Sequence, residues 1–132
     1  MRTLIIEDDP TSSLLLQEYL KSYGPIQCAT NGRAAVEFVR QALAADQPFH
    51  LLTLDLMMPE MDGHAALQEI RALEAEHGIF ATYRARVVMT SAVLSDAKSA
   101  GSAYRSLCDA YVMKPIDKAK LLAILRQLAL IN

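Results

Sequence analysis

Three acids stand in a row at residues 7 to 9, in the stretch LIIEDDP, directly behind an apolar run. Like charges held a few ångströms apart repel, and burial raises the cost of keeping them ionised. A further carboxylate, Asp55, follows the apolar run Leu51–Leu54, the hydroxyl pair Thr90-Ser91 closes a run that begins at Val87, and Lys114 follows Ala110–Met113. Brought together, Glu7, Asp8 and Asp55 would make a hard-oxygen cluster of the kind Mg²⁺ takes, a few carboxylates completed by water and phosphate oxygens. The ion would offset the repulsion among the acids. Lys114 would add a mobile positive charge and Ser91 a hydroxyl donor. That is the equipment for binding a phosphoryl group and stabilising its transfer.

For these residues to meet, the elements between them must carry distant parts of the chain to one edge. Short apolar runs alternate with helical patterns. Strands are expected over Thr3–Ile6, Ile26–Ala29, Leu51–Leu54, Val87–Thr90 and Ala110–Met113. Helices are expected over Thr11–Lys21, where Pro10 suits a first turn, from an Asn31 cap to about Ala44, and over Gly63–Glu76, Asp96–Ser106 and Asp117–Leu130. Repeated β-then-α units imply a doubly wound α/β fold, with five parallel strands, right-handed crossovers and helices on both faces. Leu51-Leu52-Thr53-Leu54 is nearly apolar throughout, as a central strand buried on both faces should be. In such a sheet, sites form at the carboxyl ends of strands. The first, third, fourth and fifth strands all carry polar groups there.

The marks together resemble the response-regulator receiver domains of two-component signalling. They are the acidic pair after the first strand, LDLMMPEMDG at 54–63, TSA at 90–92 and YVMKP at 111–115. The resemblance covers essentially the whole chain, as one receiver domain over 1–132 with no output domain. It implies the flavodoxin-like strand order 2-1-3-4-5. It implies that Asp55 is the phosphoacceptor, that Asp8 and Asp55 ligate Mg²⁺ with Glu7 acting through water, and that the backbone carbonyl of Met57 completes the protein ligands. Lys114 matches the lysine that pairs with the acceptor and then the phosphate. Ser91 matches the switch hydroxyl, with small Ala92 beside the phosphate, and Tyr111 the aromatic residue that turns inward when the hydroxyl moves. Pro115 matches a proline often preceded by a cis peptide bond, and Pro59 and Gly63 shape the loop after Asp55. Thr90 is a second hydroxyl candidate, but strand alternation lets only one of the two face the site, and the alignment to Ala92 favours Ser91. The stretch from Ile70 to Arg86 looks long for the family, and EAEHGIFATYRA is expected to extend the third helix and lengthen its loop.

The resemblance implies a phosphorylation-activated switch, taking a phosphoryl group from a histidine kinase or phosphotransfer protein and acting on a downstream protein of unknown identity. It is not an enzyme beyond catalysing its own phosphotransfer and slow autodephosphorylation. A Mg²⁺-dependent phosphohydrolase with an aspartate nucleophile is the alternative, but enzymes of the haloacid-dehalogenase type carry a second acid where Met57 stands. A flavin or dinucleotide role lacks a Gly-rich loop after the first strand. A module that has lost phosphorylation, a receiver cut from a longer regulator, and a homodimer stay open; Ile124 and Ile131, off the stripe of the last helix, leave apolar surface for a partner.

Taken singly, each mark has a plainer explanation: a capped strand end for the acids, a turn for Asp55 or Ser91, a surface charge for Lys114, loop packing for Met57, Met58 and Met61, and an exposed loop acid or helix cap for Asp62. His50, His64 and His77 share no metal spacing and read as surface residues. A net charge of −2 over 132 residues leaves no basic footprint for nucleic acid or a membrane surface. No run approaches the ~20 apolar residues of a membrane helix, and no signal peptide opens the chain. Cys28 and Cys108 lack framework spacing, as expected of reduced, half-buried thiols in a cytoplasmic protein.

Overall fold

The computed structural model describes residues 1–55, 63–80, 83–91 and 108–132, and of Ser91 the backbone alone. Five parallel strands form one sheet: β1 (Thr3–Ile6), β2 (Ile26–Ala29), β3 (Leu51–Asp55), β4 (Arg86–Ser91) and β5 (Ala110–Met113), in the order β2-β1-β3-β4-β5. Alternate residues feed two cores, as a two-residue period requires. Leu4, Ile6, Leu52, Leu54, Val87 and Met89 face α2 (Gly32–Ala44) and α3 (Gly63–Glu76). Ile5, Leu51, Val88 and Val112 face α1 (Pro10–Leu20) and the C-terminal helix α4 (Lys118–Gln127). Every residue of β1 and β3 is buried, which explains why these strands read as unbroken apolar runs.

Short polar side chains start the helices. Asp9, Asn31 and Asp117 accept the N–H groups of Ser12, Ala34 and Lys120 at 3.1, 2.8 and 2.9 Å, satisfying donors that have no partner within the first turn. Gly24, at φ 135°, returns the chain to β2; a Cβ there would stand 2.0 Å from the Met1 carbonyl oxygen, so the position admits no side chain.

The expected elements differ in a few places. β3 runs on to Asp55, which pairs with Thr90, and β4 gains Arg86 and Ser91. The last helix ends at Gln127, not Leu130: Ala129 takes φ 60°, and the N–H of Leu130 turns back to the Leu125 carbonyl at 3.0 Å. α3 is not extended past Glu76, because Gly78 at φ 74° turns the chain and the N–H of Ile79 closes on the Glu74 carbonyl at 2.9 Å. The cysteines are not half-buried: Cys28 is exposed on the edge strand β2, and Cys108 is buried, which pushes its thiol pKa up. Ile124 and Ile131 are partly buried against the second core. The helix expected over 96–106 lies outside the described residues. Among the described residues no helix is long and apolar enough to cross a membrane.

Candidate functional site

The register sets the strand ends level. Ile6 pairs with Leu54, Asp55 with Thr90 and Ser91 with Met113, so residues after β1, β3 and β5 meet at the carboxyl edge of the sheet. Glu7 continues β1, its N–H bonded to the Ala29 carbonyl at 3.0 Å, and is 2% exposed. Asp55 ends β3 and is also buried. Asp8 stands between them at the solvent-facing rim. One carboxylate oxygen from each of Glu7, Asp8 and Asp55 lies within 4.8 Å of the others. Mg²⁺ holds a few carboxylate oxygens together with water, so carboxylates this close could share one ion directly or through its bound water. The donors are hard oxygens and the spacing is close: the residues fit the metal.

Lys114, directly after β5, lies 2.5 Å from Glu7 Oε1 and 3.5 Å from Asp55 Oδ2. Burial pulls its pKa down, but the hydrogen bond to Glu7 and the charges of Asp55 and Glu7 outweigh that and leave it raised. The ammonium therefore stays charged. Among the described residues, three carboxylates against one lysine leave a local charge of about −2, the amount a divalent cation balances. The second oxygen of Glu7 accepts the Asp9 N–H at 3.2 Å, so both its oxygens are already engaged.

Asp9 does not join the cluster. Its carboxylate accepts the Ser12 hydroxyl at 2.8 Å and the Ser12 N–H at 3.1 Å, and these bonds hold its pKa below the usual carboxylate range. The Lys114–Pro115 peptide is cis. Tyr111 sits beside Met89 in the sheet register, packed against the core on the α2–α3 face with its hydroxyl buried. The Ser91 backbone lies one step beyond Thr90, the partner of Asp55. The Ser91 side chain, Met57, Ala92, Pro59 and Asp62 lie outside the described residues.

One buried cluster is absent from the sequence expectations. Near the opposite edge, Glu74 of α3 pairs with Arg71 at 2.7 Å and accepts the Ala85 N–H at 2.7 Å. Asp109 accepts the Val87 N–H at 2.8 Å and faces Arg86 and Arg71 at 3.5 and 3.8 Å. The available signal was periodicity: Glu74 continues the buried stripe of Ala66, Leu67, Ile70 and Leu73.

A family model, the response regulator receiver domain, matches residues 3–126. The sensor protein GacS of Pseudomonas syringae pv. syringae is 34% identical over 91% of this chain, which spans 12% of that protein's length. The receiver domain of the histidine kinase CKI1 from Arabidopsis thaliana, complexed with Mg²⁺ and BeF₃⁻, superposes with a TM-score of 0.80 at 25% identity, covering 97% of this chain and 89% of that one. The receiver domain of Ssk1 from Saccharomyces cerevisiae, crystallised with the histidine phosphotransfer protein Ypd1, gives 0.75 at 26% identity, over 95% of this chain and 86% of the other. With the family model matched along nearly its entire length and the 2-1-3-4-5 sheet beneath it, the chain belongs to the response-regulator receiver domains of two-component signalling.

Proposed function

We propose that this receiver is a phosphorylation-activated switch whose acceptor is Asp55, with the phosphoryl group drawn from a phosphohistidine on a histidine kinase or phosphotransfer protein. The observation that carries the reading is the convergence of Glu7, Asp8 and Asp55 within 4.8 Å, with the Lys114 ammonium at the same corner. An Asp55 carboxylate oxygen attacks phosphorus, the P–N bond breaks, and the histidine nitrogen leaves with the electron pair. Lys114 can exchange its carboxylate contacts for the incoming phosphoryl oxygens. Asp8, Asp55 and the Met57 carbonyl would hold Mg²⁺, which supplies further neutralisation of phosphoryl charge. The engagement of both Glu7 oxygens supports a role for that residue through water.

The acyl phosphate adds about −1.5 to −2 charges. Ser91 and Lys114 follow it, Ala92 leaves room beside it, and Tyr111 repacks, shifting a population between two states. The output is then a contact with another protein, in the cytoplasm, made by this chain alone or as the receiver portion of a longer regulator. The solved complexes of CKI1 with Mg²⁺ and BeF₃⁻ and of Ssk1 with Ypd1 support the metal and the donor class.

The test is transfer from a histidine phosphotransfer protein carrying radiolabelled phosphate. Label should pass to wild type in Mg²⁺, not in EDTA, and not to Asp55→Asn. Ser91→Ala should still take label but lose the NMR response around Tyr111, whereas Thr90→Ala should keep both. Stoichiometric labelling of Asp55→Asn would remove the acceptor assignment.

A further inference from the structure

At the end of the sheet away from the carboxylates, a hollow of about 320 Å³ is lined by Phe49, His50, Tyr83, Arg84 and Arg86 among others. Its hydrogen-bonding side chains can all act as donors. Arg84 forms no ion pair with a described residue. Arg86 has Asp109 at 3.5 Å, but that carboxylate also faces Arg71 and accepts the Val87 N–H. His50 Nδ1 accepts the Arg2 N–H at 2.8 Å, so the ring proton sits on Nε2, which donates. Burial, the N-terminal amine and Arg2 all keep that ring neutral. Tyr83 is 85% exposed, and nearby Phe80 is 61% exposed. Such side chains gain little from the fold of this chain and much from a partner that covers them.

Phe49 also walls a second hollow, of about 500 Å³, where Ile26, Phe38 and Ala42 supply apolar surface and Gln27, Gln41 and Gln47 supply amides. A segment crossing Phe49 would meet guanidinium donors on one side and an apolar floor on the other.

We propose that this end of the sheet docks an acidic protein segment that carries an apolar side chain beside its carboxylates. Charge complementarity picks the occupant: paired arginine forks match carboxylates, while the chain as a whole is acidic, at −2. Arginine beside exposed tyrosine is the side-chain pairing that dominates protein interfaces. Nucleic acid fits less well, because it needs cations along its length and, among the described residues, the second hollow offers only Arg2. The inference does not depend on the phosphoryl reading.

The experiment is an NMR titration of the ¹⁵N-labelled chain at low salt with a synthetic peptide of repeated Glu-Glu-Leu, its Lys-Lys-Leu counterpart and a random-sequence DNA duplex. The acidic peptide should shift the amides of 49–50 and 83–86 saturably. Arg84→Glu should weaken it by about tenfold or more, and Tyr83→Ala should weaken it too. Both side chains reach solvent, so both variants should fold and keep the wild-type amide spectrum away from 49–50 and 83–86. Shifts scattered elsewhere, equal binding of the lysine peptide, tighter binding of the duplex to the same residues, or an Arg84→Glu affinity equal to wild type would each overturn the proposal.

Discussion

Near the amino edge of the sheet, Arg71, Glu74, Arg86 and Asp109 balance two positive charges against two negative ones, and backbone N–H groups take further carboxylate lone pairs. At the carboxyl edge, Glu7, Asp8 and Asp55 share one lysine. Both sets contain buried acids, and both tie together elements distant in sequence. They differ in whether the described residues supply the compensating charge. Where they do, as in the buried Arg71–Glu74 pair, the cluster closes the long connection between α3 and β4. Where they do not, a divalent cation would supply charge that the described residues lack. Excess of one sign among the described residues, rather than burial, separates the proposed phosphoryl site from the charge-paired cluster.

Breaking the balanced edge should have the largest effect on stability. Glu74→Ala leaves Arg71, with its side chain 9% exposed, without the closest acid among the described residues and frees the Ala85 N–H. A loss of about 3–5 kcal/mol is expected in urea unfolding. A loss under about 1 kcal/mol, the range of a surface pair, would mean that this network is not the clamp described. The unbalanced edge should instead respond to cation: Mg²⁺ at roughly a hundredfold excess over its Kd should stabilise wild type by about 2.7 kcal/mol. Asp8→Ala should remove most of that gain.

Asp9→Ala sharpens the contrast inside a single run of acids. Loss of the cap to α1 should lower stability in urea unfolding while leaving Mg²⁺ affinity nearly unchanged. Equal losses of Mg²⁺ affinity in the Asp8 and Asp9 variants would place the cluster one residue off. The smallest effect concerns Lys114. Its pKa is raised on folding, so its stabilisation is complete below its ordinary value of 10.5 and is lost as pH climbs through the higher folded value. Across alkaline unfolding, Lys114→Met should therefore lose stability less steeply than wild type above about pH 10.5. Parallel curves would mean that the ammonium gains nothing from Glu7 and Asp55.

Much of this was legible because parallel central strands are buried on both faces and show as apolar runs. Their ends at Leu54, Thr90 and Met113 were readable to within a residue, and Asn31 and Pro10 marked helix starts. What failed did so for local reasons. The acidic run is not among the failures: the resemblance separates Glu7 and Asp8 from Asp9, and the turn of the chain after β1 makes Glu7 buried, Asp8 exposed and Asp9 a cap. The last helix seemed longer because Leu128 and Leu130 continue its apolar pattern; Leu130 packs on the core from beyond the helix end. The pairing of Arg71 with Asp109 joins residues far apart in sequence, which no local period reveals.

If the carboxylate corner of Glu7, Asp8 and Asp55 carries the phosphoryl chemistry, intact mass after incubation with acetyl phosphate and Mg²⁺ will register it. Wild type should gain one acid-labile phosphoryl adduct, lost with EDTA and absent from Asp55→Asn, while Glu74→Ala, studied where it remains folded, should still gain it. An adduct of equal occupancy on Asp55→Asn, or one on wild type indifferent to Mg²⁺, would contradict the account.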